Sequence, residues 1–349
     1  MTLKPLAAAA VISLGLALAC GGGSNSSTSS GAGTSNPPVT LQEHDFAPEL
    51  SDPAIPKIYT AQNENVFAYL ATAGVTRRNQ LFLFLPGSTS VPVFYQDILK
   101  EAAAKGFHAL GLTYENATLV ATLVQPYSDP TQPGFDADAA GKVHDAVLQG
   151  TTAGNQLPTF TVSAADSLEN RLLKALQYLD AQYPSEGWGQ YASGGTIQWS
   201  LIRLAGHSQG GSEAAYIGTQ IALPRVIAFD SPSDAETWVS ASTPAAWVQA
   251  GHGATPSANY YGFTHQRDPL VPLALAEADW DALVLPGAPT LVDGVSTYGG
   301  SHRLYSNLTV TASDPLFLYH DCTVVDAQTP KNSDGTPTYL PVWDALCFE

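Results

Sequence analysis

The chain has 349 residues, 44% of them apolar and 13% charged, which is enough for one large packed domain or two small ones. Its formal net charge of -17 argues against a nucleic-acid partner, because phosphate binding needs clustered Lys and Arg. An acidic balance of this kind is an ordinary means of staying soluble.

Lys4 and the apolar run from Leu6 to Leu18 read as the charged and hydrophobic parts of an export signal. The run is shorter than the roughly 20 residues of a membrane span. It ends Ala17-Leu18-Ala19-Cys20, which resembles a bacterial lipobox. That resemblance implies a lipoprotein signal peptide at 1–19 and acylation at Cys20. The other reading is an ordinary signal peptide beside a coincidental cysteine. Residues 21–38 are almost wholly Gly, Ser, Thr, Asn and Pro, a composition that cannot bury apolar surface, so 20–40 reads as a flexible tether to a membrane. Gly21 is not the Asp that favours inner-membrane retention in the Gram-negative pattern. The expected location is therefore the bacterial envelope or surface, the outer membrane in a Gram-negative cell.

The folded domain is expected over 41–349, with strands and helices alternating. Lys57 to Ala61 and Val66 to Ala71 read as early strands. Gln80 to Leu85 is an apolar run that fits a strand buried on both faces. Val93 to Lys105 reads as a helix, and Phe107 to Thr113 as the next buried strand, which together make a parallel crossover. Residues 115–160, rich in Pro, Gly, Asp and Thr, read as an irregular excursion. Ser163 and Asp166 suggest a capping box before a helix, with Leu168, Leu172, Leu176 and Leu179 as its core stripe. Ile197 to Ala205 reads as a strand, Gln209 to Ala222 as a helix, and Arg225 to Phe229 and Tyr260 to Thr264 as strands. Further strands are expected at Pro289 to Val295 and Arg303 to Val310, and a last helix at Pro341 to Leu346. No internal repeat is evident.

Between the strand at 197–205 and the helix at 209–222 lies Gly206-His207-Ser208-Gln209-Gly210, a match to G-x-S-x-G. A tight strand-to-helix bend needs glycine two residues either side of the serine, where side chains would collide with neighbouring elements. On this motif and its flanking elements the chain resembles the α/β-hydrolase superfamily. The resemblance implies an α/β fold with a mostly parallel central sheet and helices on both faces. It also implies a catalytic triad in the chain order Ser, Asp or Glu, His. Ser208 is the expected nucleophile.

Oxyanion donors are expected from the N–H of Gln209 and from the loop Leu85 to Thr89, with Ser88 as donor and Thr89 as alternative. The loop at Asp268, where Asp-Pro-Leu-Val-Pro follows a strand, resembles the family's acid loop. Asp230, with Asp234 behind it, is the alternative acid. Two histidines follow Asp268. His320 is the expected base because it lies one loop before the last helix; His302 is the alternative. His207 is too close to the serine in sequence to be its base, and its ring is expected to pack or to line the pocket.

Export would place Cys322 and Cys347 in an oxidising compartment, so a disulfide between them is the default and two free thiols the alternative. Such a bridge, worth about 3 kcal/mol in the chain-entropy view, would tie the His320 loop to the C-terminal segment. The resemblance implies an esterase or lipase acting on small or lipid-like esters, with no metal and no organic cofactor. Trp238, Trp247, Tyr260 and Tyr261 are candidates for an acyl pocket or for core. Amidase, peptidase or acyltransferase activity on the same residues, or an inactive surface-tethered binding protein, are the other readings. The sequence does not fix the oligomeric state.

Overall fold

The computed structural model describes residues 38–237, 240–311 and 317–349. The signal segment, the tether up to residue 37, Cys20 and Trp238 lie outside the described residues.

Among the described residues the eleven strands are β1 (Thr40–Phe46), β2 (Val66–Ala73), β3 (Leu81–Leu85), β4 (His108–Gly111), β5 (Ile202–His207), β6 (Arg225–Phe229), β7 (Ala235–Thr237), β8 (Ser240–Pro244), β9 (Tyr260–His265), β10 (Thr290–Leu291) and β11 (Arg303–Ser306). Nine of them form one sheet in the order β1-β2-β4-β3-β5-β6-β9-β11-β10, while β7 and β8 pair as a separate two-stranded sheet. The β1–β2 and β2–β4 pairs are antiparallel, and the other pairs in the large sheet are parallel. This is the mostly parallel central sheet expected of an α/β-hydrolase fold, and β5 stands at its centre.

The alternation along β3 explains why the sheet is covered on both faces. Leu81, Leu83 and Leu85 point into one core with the helices Ala139–Gln149, Leu168–Gln182 and Gln209–Gln220. Phe82 and Phe84 point the other way, into a second core with the helix Gln96–Ala104 and the C-terminal residues Trp343, Leu346 and Phe348. A period of two on a strand buried on both sides needs apolar residues at every position, as β3 has.

Several elements depart from the sequence reading. Lys57 to Ala61 is not a strand; β1 takes the sheet's first place, starting at Thr40 inside the expected tether. The excursion at 115–160 contains two helices, Val120–Val124 and Ala139–Gln149. The second buries Val143, Ala146 and Val147 in the first core. The helix expected from Ser163 begins at Leu168. Ser167 is its N-cap, accepting from the Asn170 N–H, and Leu168, Leu172, Leu176 and Leu179 form the buried stripe. Among the described residues no helix is long and apolar enough to cross a membrane.

Candidate active site

All parallel strands of the sheet present their C-terminal ends to one edge, and the expected site residues gather there. β5 ends at His207 and the helix Gln209–Gln220 starts two residues later, so Ser208 takes the whole change of direction. Its backbone lies at φ 52°, ψ -120°. For a residue with a Cβ this conformation costs about 1–3 kcal/mol, and the surroundings must enforce it. They do so through the Ser208 N–H, which donates to the Phe229 carbonyl at 2.8 Å and carries the β5–β6 pairing into the bend. Glycine is required on both sides. A Cβ on Gly206 would lie 2.1 Å from the Gly210 oxygen, and one on Gly210 would lie 2.2 Å from the Leu85 oxygen.

Asp268 lies in the turn after β9. Its Oδ1 accepts the N–H groups of Leu270 at 2.7 Å and Val271 at 3.0 Å, which locks the turn. Its Oδ2 is left to accept from His320 Nδ1 at 2.7 Å. That bond places the Nδ1 proton toward the carboxylate and leaves Nε2 as the basic nitrogen. His320 sits in the short helix Leu318–Asp321 and is buried. Burial alone would lower its pKa. The hydrogen bond and charge of Asp268, with Asp230 and Asp321 behind, outweigh burial and raise it to about 9. No hydrogen bond joins Ser208 to His320 among the described residues. The His207 ring, next in sequence to Ser208, lies 4.9 Å from the His320 ring, centroid to centroid.

The other candidates fall elsewhere. His302 precedes β11 and so lies at the N-terminal edge of the sheet, opposite Ser208. It stacks on Tyr261 at 3.8 Å, and its Nδ1 is 2.9 Å from the Tyr260 carbonyl. Asp230, at φ 50° after β6, is fully buried beside the Asp268–His320 pair. It accepts from the Thr264 hydroxyl at 3.0 Å, the His265 N–H at 3.3 Å and the Thr323 hydroxyl. Burial, and then repulsion from Asp268, push its pKa well up. Asp230, Asp268 and His320 hold donor atoms within 4.8 Å of one another. The donors just named already engage both oxygens of Asp230 and of Asp268, so this constellation is a protein hydrogen-bond network rather than an open ligand set.

Asp234 belongs to a separate buried centre. Its Oδ2 is 2.7 Å from His144 Nε2 and accepts from Trp247 Nε1 at 3.0 Å, while His144 Nδ1 is 2.7 Å from Glu213 Oε2. Trp247 packs edge-on to His144 and Tyr216 there. The buried Tyr260 donates to the His252 carbonyl at 2.8 Å. Trp247, Tyr260 and Tyr261 are therefore packing residues.

The loop after β3 is tied back by its carbonyls. The Tyr114 hydroxyl donates to the Pro86 oxygen at 2.9 Å. Asn116 Nδ2 donates to the oxygens of Gly87 at 2.6 Å and Ser90 at 3.0 Å, and Asn116 Oδ1 accepts from the Tyr59 hydroxyl at 2.6 Å. The Thr89 N–H is spent on the Asn116 oxygen at 2.9 Å, so Thr89 is a poor oxyanion donor. Among the described residues the N–H groups of Ser88 and Gln209 have no acceptor, as an oxyanion hole requires. Their side chains meet, the Ser88 hydroxyl donating to Gln209 Oε1 at 2.5 Å. Tyr114 and Asn116 escaped the sequence reading because no motif marks a residue that acts by gripping a distant carbonyl.

The disulfide expected between Cys322 and Cys347 is absent; both are free, buried thiols. Cys322 packs with Val310 and Leu318, while Cys347 lies in the C-terminal turn within the second core. The two side chains belong to different apolar clusters, and burial pushes both thiols up.

No protein-family model matches the chain, and no curated protein matches it in sequence. Solved structures similar to it include a Klebsiella pneumoniae protein described as a dienelactone hydrolase, at 10% identity and TM-score 0.37, covering 88% of this chain and 98% of that one. A Lactobacillus plantarum protein described as a carboxylesterase aligns at 15% identity and TM-score 0.35, over 77% of this chain and 85% of the other. The Thermus thermophilus protein TT1662 aligns at 16% identity and TM-score 0.34, over 73% of this chain and 87% of its own.

Proposed function

We propose that the protein is a serine hydrolase that cleaves carboxylic esters through an acyl-enzyme on Ser208. One observation carries the reading. A serine raised on a strained bend shares the C-terminal edge of the sheet with a buried imidazole–carboxylate pair, His320–Asp268, bonded at 2.7 Å.

In the mechanism that follows, His320 Nε2 takes the Ser208 proton as Oγ attacks the ester carbonyl. The N–H groups of Ser88 and Gln209 stabilise the tetrahedral oxyanion. Collapse breaks the bond to the leaving alkoxide, which takes the proton from His320. Water, deprotonated by His320, then attacks the acyl-enzyme and frees the acid and Ser208. Asp268 holds the imidazole in the right tautomer and stabilises its charged form.

The test is an ester panel of graded acyl length together with labelling by a fluorophosphonate. Labelling is expected in the wild type and lost in Ser208→Ala. His320→Ala is expected to abolish turnover, while His302→Ala keeps it near normal. The reverse order for the two histidines would remove His320 from the reading.

We also infer export and acylation at Cys20, on the strength of the apolar run ending Ala17-Leu18-Ala19-Cys20. Fatty-acid labelling in cells that is unchanged in Cys20→Ser would refute that part.

A further inference from the structure

His207 is buried one residue before Ser208 and makes a polar contact at each ring nitrogen. Nε2 lies 3.0 Å from the main-chain oxygen of His320. A carbonyl only accepts, so Nε2 carries hydrogen. Nδ1 lies 3.0 Å from the Tyr95 hydroxyl oxygen, which also accepts the Gly87 N–H at 3.1 Å. The charged or titratable groups facing the ring are the carboxylates of Asp230 and Asp321, 3.8 and 3.9 Å from Nε2, the His320 imidazole and the Tyr95 phenol. Burial and the neighbouring His320 push the His207 pKa down to about 3, so the ring is neutral and Nδ1 accepts the Tyr95 hydrogen.

Every hydrogen is thereby fixed in one direction. The Gly87 N–H donates to Tyr95, Tyr95 to His207, and His207 to the His320 carbonyl. Such chains polarise and strengthen one another in a buried setting. Gly87 precedes Ser88, so the chain joins the backbone of one oxyanion donor to the backbone of the base. It runs directly past the nucleophile. A Cβ on Gly87 would lie 2.9 Å from His207 Nδ1 and 3.3 Å from Ser208 Cβ.

We propose that His207 is a positioning residue which, through Tyr95, sets the distance between the oxyanion loop at Gly87–Ser88 and the backbone of His320. The proposal rests on the serine-hydrolase reading above. The neutral ring also matters for the chemistry. His320 becomes an imidazolium when it takes the Ser208 proton, and a second cation 4.9 Å away would oppose that step.

The experiment measures kcat and KM on a short-chain p-nitrophenyl ester for wild type, His207→Phe, His207→Gln and Tyr95→Phe. Fluorophosphonate labelling and thermal unfolding accompany each protein. Misplacement of reacting groups by about 1 Å can cost 100-fold, so the two Phe variants are expected to lose about 100-fold in kcat. KM should stay within about twofold, because substrate contacts are untouched. Glutamine offers an acceptor and a donor in one planar group, so His207→Gln should recover most of the loss.

A purely structural role predicts a lower unfolding temperature with kcat intact in the folded protein. That result overturns the proposal, as does equal loss in His207→Gln and His207→Phe. If His207→Phe does not fold, Tyr95→Phe, which removes a single oxygen, decides alone. A wild type that turns over and labels while these variants match it sinks the clamp only. A wild type that does neither sinks the hydrolase reading, and the clamp with it.

Discussion

At Asp268, the two carboxylate oxygens divide the labour. One accepts two main-chain N–H groups and fixes the turn, and the other accepts from His320. This division sets a pH dependence. In the proposed mechanism His320 works only when neutral, and its pKa, which burial lowers and Asp268 raises more strongly, moves from the ordinary 6.5 to about 9. kcat/KM should therefore rise with pH beyond the neutral range instead of levelling near 6.5. Asp268→Asn should lower kcat by roughly 10⁴-fold, since the wrong tautomer is favoured, and should move the rising limb to lower pH. A pH–rate profile of both proteins checks this, and a limb that stays in place in Asp268→Asn would contradict the assignment. Asp230 stands close by, but three donors already occupy it and its own pKa is pushed up, so it is not poised to replace Asp268 as a charged partner.

Among the elements, the helix Ala139–Gln149 bears on stability through a buried charge. It carries His144 into a buried position between Glu213, on the helix after the nucleophile, and Asp234, beyond β6. Burial opposes the charged ring, but the two carboxylates outweigh it and raise its pKa to about 10. A raised folded-state pKa gives stability that is complete below the unfolded value of 6.5 and is lost as pH rises through about 10. Denaturant midpoints should therefore decline across that window, and the decline should shrink in His144→Ala. That variant leaves two carboxylates buried without their cation, so a loss of about 3–5 kcal/mol is expected near neutral pH. No motif marks this centre. Its three members lie far apart in the chain, and His144 sits in a stretch whose Pro and Gly content at 126–138 masks the helix that follows. The motif at 206–210 was legible because it is local: strand, bend and helix are adjacent, and each needs a distinct residue type. Loop order favoured His320 over His302 but left His302 open. Both follow short strand-like runs, and only the pairing of β11 with β9 shows that His302 lies at the wrong edge.

For the domain as a whole, the two packed faces of the sheet supply cohesion, and among the described residues no disulfide adds to it. Cys322 and Cys347 occupy separate apolar clusters and remain thiols. A maleimide titration should find both only after unfolding, with no further thiols on adding reductant, and reductant should leave the unfolding temperature unchanged. In place of a bridge, two arginines from neighbouring strands hold the C-terminal turn. Arg203 donates to the Cys347 oxygen at 2.8 Å, and Arg225 donates to the Leu346 oxygen at 2.7 Å. Charge placed at the carbonyl end of a turn in this way is stabilising. The expectation of a disulfide followed from compartment and cysteine count, neither of which registers which cluster each side chain joins.

On the serine-hydrolase reading, the bend at Ser208 also limits how the chain can change over generations. With the Gly206 and Gly210 backbones pressed against neighbouring main chain at distances no methyl group tolerates, almost no heritable variation is open at those positions. On that reading, new acyl preferences fall to residues outside this bend, where replacements leave the Ser208 hydroxyl undisturbed.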